Sequence, residues 1–204
     1  MTDCLDEEFY RRPTAVVARE LVGMRLVRTL VMDGLMSRLS GTIVETEAYG
    51  GADDPASHAR MGPTPRNSVM FGQVGRAYIY FTYGSHFCVN VSARSPKHPA
   101  GAVLIRALEP TEGIALMKFN RGQDDLCSLA SGPGKLTRAL GITPLLNGVD
   151  MTASESGLCI ERGTPPRRII STPRIGITRA TEKHWRFVDP FSLHASRKVP
   201  IKVR

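Results

Sequence analysis

An α+β fold built on an antiparallel sheet is predicted by three features of the chain. The β-rich runs come in pairs about tight turns, the helical stretches stand apart from them, and 42% hydrophobic content over 204 residues suffices for one core. A single domain over residues 1–204 is expected, with 1–8 a short flexible tail, because the chain is too short for two full cores.

Taken in order, "PTAVVARELVG" (13–23) reads as a short helix, with Pro13 and Thr14 as start signals and Gly23 as a stop. "MRLVRTLVMDGLMSRLSGTIVETEAY" (24–49) reads as two strands about Asp33-Gly34, a strong hairpin signal. Residues 50–75 are punctuated by Gly and Pro and read as loop, with a helical turn expected at "DDPASH". "RAYIYFTYGSHFCVNVS" (76–92) forms a second hairpin about Tyr83-Gly84-Ser85, and "GAVLIRALEP" (101–110) a strand stopped by Pro110. "TEGIALMKFN" (111–120) and "SGPGKLTRALG" (131–141) read as helices, the second capped by Ser131 and closed by Gly141. Short strands and loops follow, including "GLCIERG" and "PRIGITR".

The charge balance is +8, and it is uneven. Residues 162–204 hold eleven basic and two acidic residues, a net +9, which leaves −1 for residues 1–161. A one-sided basic surface points to phosphate-bearing partners or to a solubilising tail. The four cysteines are scattered without C-x-x-C or a histidine at ligand spacing, so neither a zinc site nor a disulfide framework is signalled. "MTDCLDEEFYRRP" has acidic residues where a signal peptide is basic and then apolar, and no apolar run is long enough to span a bilayer. A soluble intracellular protein is expected, in the bacterial cytoplasm or nucleoid, or in a eukaryotic nucleus. "SGPGKL" is not a phosphate loop, because Leu136 stands where Ser or Thr must hold magnesium.

Two glutamates in "VETEAY" are the strongest chemical signal. Glu45 and Glu47 sit two apart in a strand, share a face, and are disfavoured there unless paired or functional. Spacing alone does not say which one acts. Arg106 interrupts "AVLIRALEP" and, if buried, needs an acidic partner, with Glu45 and Glu47 the candidates. Four of the five tyrosines (Tyr49, Tyr78, Tyr80, Tyr83) fall within 35 residues, together with His58, Phe81 and Phe87. They are either an aromatic core, to which Phe81 is assigned, or the walls of a slot for a flipped base. Tyr83, beside a turn glycine, would protrude and could wedge into a base stack. Asn90 in "CVNVS" is either a satisfied core amide or one facing a ligand. A non-catalytic module that stacks single-stranded bases is the rival to an enzyme.

These stretches together resemble the alkyladenine-type 3-methyladenine DNA glycosylases. "GTIVETEAYGGADDPASHAR", "TPRNSVMFG", "AYIYFTYGSHFCVNVS", "LIRALEP" and "SGPGKL" occur in that family's order and spacing, densely over 41–110 and thinly beyond 142. The resemblance implies a compact α+β domain with a curved antiparallel sheet and a protruding hairpin. It implies a monofunctional enzyme acting as a monomer on duplex DNA that contains damaged purines. Such an enzyme hydrolyses the N-glycosidic bond of alkylated, deaminated or etheno purines without metal or organic cofactor. By position it makes Glu47 the general base and Arg106 the cation beside it. Tyr49, His58 and Tyr80 become the residues around the flipped base, and Asn90 the amide near the purine 2-position. Tyr83 becomes the residue that fills the vacated gap in the duplex, and Arg121 and Lys135 the phosphate contacts. His86 departs from the family, which often has an aromatic residue there. Residues 44–90 contain no lysine, so water is the expected nucleophile and no Schiff base is expected.

Overall fold

Residues 35–49 form one long strand that pairs with three others, and the site is built at its far end. The structure, a computed structural model, describes residues 3–32, 34–82 and 86–200, without the side chain of Met32. The strands are β1 (Arg25–Met32), β2 (Leu35–Tyr49), β3 (Ala77–Thr82), β4 (His86–Ser92), β5 (Ala102–Glu112), β6 (Leu158–Glu161), β7 (Ile170–Thr172) and β8 (Arg186–Val188). The helices are α1 (Glu7–Tyr10), α2 (Thr14–Glu20), α3 (Ile114–Arg121), α4 (Leu126–Leu129) and α5 (Pro133–Ala139). The sheet runs β3-β4-β5-β2-β1-β6, with β8 paired to β2 and β7 to β8, every ladder antiparallel. This is the α+β class with a curled antiparallel sheet.

Local chemistry explains the layout. Met32 lies opposite Leu35, so the β1–β2 loop has two residues and needs positive φ, which Gly34 supplies at 76°. The apolar face of α2 (Val17, Ala18) and Leu21 just after it join Leu39, Ile43 and Ala48 of β2 in the main core, and Leu136 and Ala139 of α5 join Val89 of β4 and Leu108 of β5. Gly113 turns the chain from β5 into α3 at φ 71°, where a Cβ would lie 2.7 Å from the Arg38 carbonyl oxygen.

Several expectations are corrected. Residues 3–8 are docked rather than loose: Leu5 is fully buried, donates to the Ile160 carbonyl (2.8 Å), and leads into α1. "DDPASH" makes turns, not helix, because the Asp54 carboxylate takes the Gly50 and Ala56 N–H groups. Pro110 does not end β5; it sits opposite Gly41 at a register shift, where a missing N–H is tolerated, and β5 runs to Glu112. The cap residue of α5 is Gly132, not Ser131, and no side chain caps the helix. Residues 173–179 form a loop, and the strands lie on either side of it, at 170–172 and 186–188. Phe81 is not core: it is 50% exposed and rests on Phe87, with ring centroids 5.3 Å apart.

Candidate active site

Strand register assembles the site. Glu47 of β2 lies opposite Leu104 of β5, Leu104 opposite Asn90 of β4, and Asn90 opposite Tyr78 of β3. Directly opposed residues share a sheet face, so one row crosses four strands. One pleat along, Cys88 faces Tyr80, and Arg106 sits two residues on from Leu104. These side chains, Glu47 excepted, help line a cleft of about 730 Å³. Its other walls come from Tyr49 and His58, from Gly134 and Lys135 of α5, and from the loop Ile175–Ile177. Gly134 lets α5 approach the hairpin: a Cβ there would meet that of His86 at 2.8 Å.

Glu47 is fully buried one layer behind the cleft. Its Oε2 accepts hydrogen bonds from the Tyr49 hydroxyl (2.7 Å) and from Arg106 Nη1 (3.2 Å), and its Oε1 accepts one from the Ile175 N–H (2.7 Å). All three donor residues line the cleft. Burial raises the pKa of Glu47 above its ordinary value; Arg106, the Ile175 amide and the Tyr49 hydroxyl pull it back in part, while the charge of Glu45 adds to the rise. A carboxylate has about four acceptor positions, so these three hydrogen bonds leave one on Oε1 for another donor.

Glu45, also fully buried, accepts four hydrogen bonds. Arg106 Nε (3.2 Å), Arg186 Nε (2.6 Å) and the Ser196 hydroxyl (2.8 Å) donate to its Oε1, and the Ser196 N–H (2.6 Å) to its Oε2. Arg106 thus bridges both carboxylates, which answers the question of which glutamate it serves. A second pair fixes the loops beside the cleft. Arg174 and Asp54, both with fully buried side chains, join in a two-pronged contact of 2.6 and 2.7 Å. Arg174 also lies 4.7 Å from the Tyr49 ring centre and is one residue from the Ile175 amide.

The aromatic residues pack in a mutual arrangement. His58 stands edge-on to Tyr80 with centroids 4.6 Å apart, and Tyr78 and Tyr80 are 5.2 Å apart. His58 Nδ1 lies 2.9 Å from the Tyr78 hydroxyl. Burial and the nearby Arg66 lower the His58 pKa, so its ring is neutral near pH 7. Asn90 is buried and donates to the Tyr78 carbonyl (2.9 Å), as a satisfied core amide does, and it also lines the cleft.

Of the residues singled out in the sequence, Tyr49, His58, Tyr80, Asn90, Arg106, Arg121 and Lys135 line the one cleft, with Glu47 just behind it. Arg121 spends its Nε on the Leu129 carbonyl (3.1 Å), and Lys135 Nζ lies 3.4 Å from the Ser131 hydroxyl. Tyr83 lies outside the described residues. Sequence reading missed Asp54, Arg174, Arg186, Ser196 and the Ile175 amide. Arg186 carried the same signal as Arg106, a cation inside the apolar run "WRFV". Among the described residues, no group of three His, Cys, Asp or Glu side chains could hold a metal ion, and no helix is long and apolar enough to cross a membrane.

Comparison with known proteins places the chain among the DNA glycosylases, hydrolases that act on N-glycosidic bonds. The family model described as Methylpurine-DNA glycosylase matches residues 8–192. A relative from Rhodopseudomonas palustris is 50% identical over 179 residues, covering 88% of this chain and 81% of its own. One from Methanocella arvoryzae is 46% identical over 200 residues (96% and 97%), and one from Chlorobaculum parvum 46% over 192 residues (94% and 90%). All three carry the provisional name 3-methyladenine DNA glycosylase. The chain belongs to the methylpurine-DNA glycosylase family.

Proposed function

We propose that the protein is a monofunctional glycosylase that acts as a monomer on duplex DNA and releases alkylated purines, 3-methyladenine and 7-methylguanine among them. The damaged nucleotide swings out of the helix and its base enters the cleft between Tyr49, His58 and Tyr80. The observation that most supports this is the fully buried Glu47, whose three donor residues all line that cleft.

A purine alkylated at N3 or N7 is cationic. Rings on its faces gain about 1–2 kcal/mol per desolvated contact over a normal base, and neutral His58 adds no repulsion. The cation is also a good leaving group: when the C1′–N bond breaks, its electrons neutralise the departing base. The enzyme's work is to position a water and to stabilise the positive sugar. Glu47 accepts a proton from the water through its open Oε1 position as the water oxygen bonds to C1′, and its negative charge steadies the oxocarbenium-like sugar. Arg106 keeps Glu47 ionised, and Glu45, fully engaged elsewhere, stays out of the reaction. Asn90 crowds the 2-amino group of guanine, a discrimination of about 1–3 kcal/mol. Arg121 and Lys135 meet backbone phosphates, and Tyr83 fills the gap in the duplex.

The test is Glu47→Gln in single-turnover assays on methylated duplex, with released bases identified by chromatography. Wild type should release 3-methyladenine and 7-methylguanine but not guanine. The variant should bind the duplex and release nothing, and normal release by it would falsify the assignment.

A further inference from the structure

We propose that Glu45 latches the C-terminal segment (189–198) across the site, and that Arg197 on this segment binds a backbone phosphate beside the extruded nucleotide. This rests on the glycosylase reading above and assigns a task to the basic C-terminal region.

The latch is visible in the hydrogen bonds. Three of the four donors to buried Glu45 come from Arg186 and Ser196, both C-terminal to β7. Arg186 in turn donates from Nη2 to the Arg197 carbonyl (2.9 Å). The Ser196–Arg197 pair is therefore held at both ends, at the Ser196 N–H and hydroxyl by the carboxylate and at the Arg197 carbonyl by the guanidinium that the carboxylate holds. A neutral side chain at 45 would offer fewer acceptors, would leave Arg186 buried without the carboxylate it pairs with, and would leave Arg106 with Glu47 alone. Two glutamates on one strand face thus divide the labour: Glu47 faces the cleft residues, and Glu45 fastens the segment that closes one side of it.

The consequence lies at Arg197. Its backbone is fixed by the latch, and the residue lines the cleft together with Arg121 and Lys135. Among the described residues no carboxylate pairs with any of these three cations. Unpaired cations gathered on the wall of one cleft repel one another, and an anion relieves that repulsion. Arg197 also takes no part in holding Glu47, whose donors are Tyr49, Arg106 and Ile175. An uncommitted guanidinium on a fixed backbone presents a planar fork matched to two phosphate oxygens.

The experiment measures binding of wild type, Arg197→Ala, Arg197→Lys and Ser196→Pro to methylated duplex across a salt series, with base release and thermal midpoints recorded alongside. Loss of one phosphate contact should flatten the slope of log K against log[salt] by about 0.9 and weaken binding about eightfold at 0.1 M salt. Arg197→Ala should show this with an unchanged midpoint, because among the described residues its guanidinium makes no hydrogen bond or ion pair, and Arg197→Lys should recover the slope. Ser196→Pro removes both Ser196 donors from Glu45 while keeping Arg197, and should flatten the slope as well. A wild-type slope in Arg197→Ala, with wild-type enzyme active on the same duplex, overturns the inference alone. A wild-type slope in Ser196→Pro overturns the latch. Wild-type enzyme that neither binds duplex nor releases base overturns the glycosylase reading, and this inference with it.

Discussion

Glu47 is held where its charge is expensive and its basicity useful. Burial raises its pKa above the ordinary 4.5, with Arg106, the Ile175 amide and Tyr49 opposing the rise. Two consequences have fixed signs. On the proposed role of Glu47 as general base it must be ionised, so the acid limb of kcat/KM should lie at higher pH than a free carboxylate would give. Substituting Arg106→Leu removes the largest opposing influence and should move that limb further up in pH; breaking the buried cluster should also lower stability by about 3–5 kcal/mol. For stability, a carboxyl with a raised folded-state pKa contributes fully below 4.5 and loses that contribution as pH climbs through the raised value. The thermal midpoint of wild type should therefore fall relative to Glu47→Gln as pH rises through this window. A constant difference between the two curves would show that Glu47 is not desolvated. At this scale the sequence was legible in its anomalies. Two glutamates and an arginine in apolar strands read correctly as a charged cluster because burial leaves such residues few alternatives. The Ile175 amide was invisible, since a backbone N–H has no letter of its own.

Elements decide whether the cluster holds its geometry. The row from Glu47 through Leu104 and Asn90 to Tyr78 exists because β2, β5, β4 and β3 keep one register across three ladders. Hairpin turns and alternation made these strands readable in the sequence. Alternation also misled: it assigned Phe81 to the core, but at that end of β3 the ring is half exposed and rests on Phe87. The loops escaped prediction because their order comes from a contact 120 residues long-range, Asp54 with Arg174. Burial alone would raise the Asp54 pKa, but Arg174 and the Gly50 N–H bring it below its ordinary 3.8. Its contribution to stability is therefore present above 3.8 and lost as pH falls through the lower folded-state value. Asp54→Ala leaves Arg174 buried without its partner, and should cost about 3 kcal/mol, or roughly 6–12 °C of thermal midpoint for a chain of this size. It should also loosen the Ile175 donor and the Tyr49 ring, so the acid limb of the rate profile should rise with it. A purely structural pair would lower the midpoint and leave the profile in place.

Over the whole molecule, charge is sorted by position. The positive excess resides in residues 162–204, a net +9, and the fold returns part of that stretch to the end of β2 and the cleft beside it: Arg174 reaches Asp54, Arg186 reaches Glu45, and Arg197 reaches the cleft. Sequence reading placed the excess correctly but could not tell a solubilising tail from a working surface, because the distinction depends on contacts between residues 120 and 141 positions apart. Some of the excess is internal, neutralised by the carboxylates it grips, and what remains on the cleft wall is the part able to meet DNA. Arg121, Lys135 and Arg197 are the cations proposed to do so, and each phosphate they engage would release condensed counterions. Duplex affinity should then fall with a log–log salt slope at least as steep as about −2.7, or ~0.9 for each of three contacts. Arg121→Ala and Lys135→Ala should each flatten it by about 0.9, and the effects should add, provided the sites do not share a phosphate. Charges outside the cleft offer a contrast: Arg167→Ala and Arg168→Ala alter the same net charge on exposed residues of a loop. If the field of the whole protein governs binding, those two substitutions should flatten the slope as much as the cleft variants do. If the cleft cations contact phosphates directly, the loop variants should slow association slightly and leave the equilibrium slope near that of wild type, which is the outcome expected here.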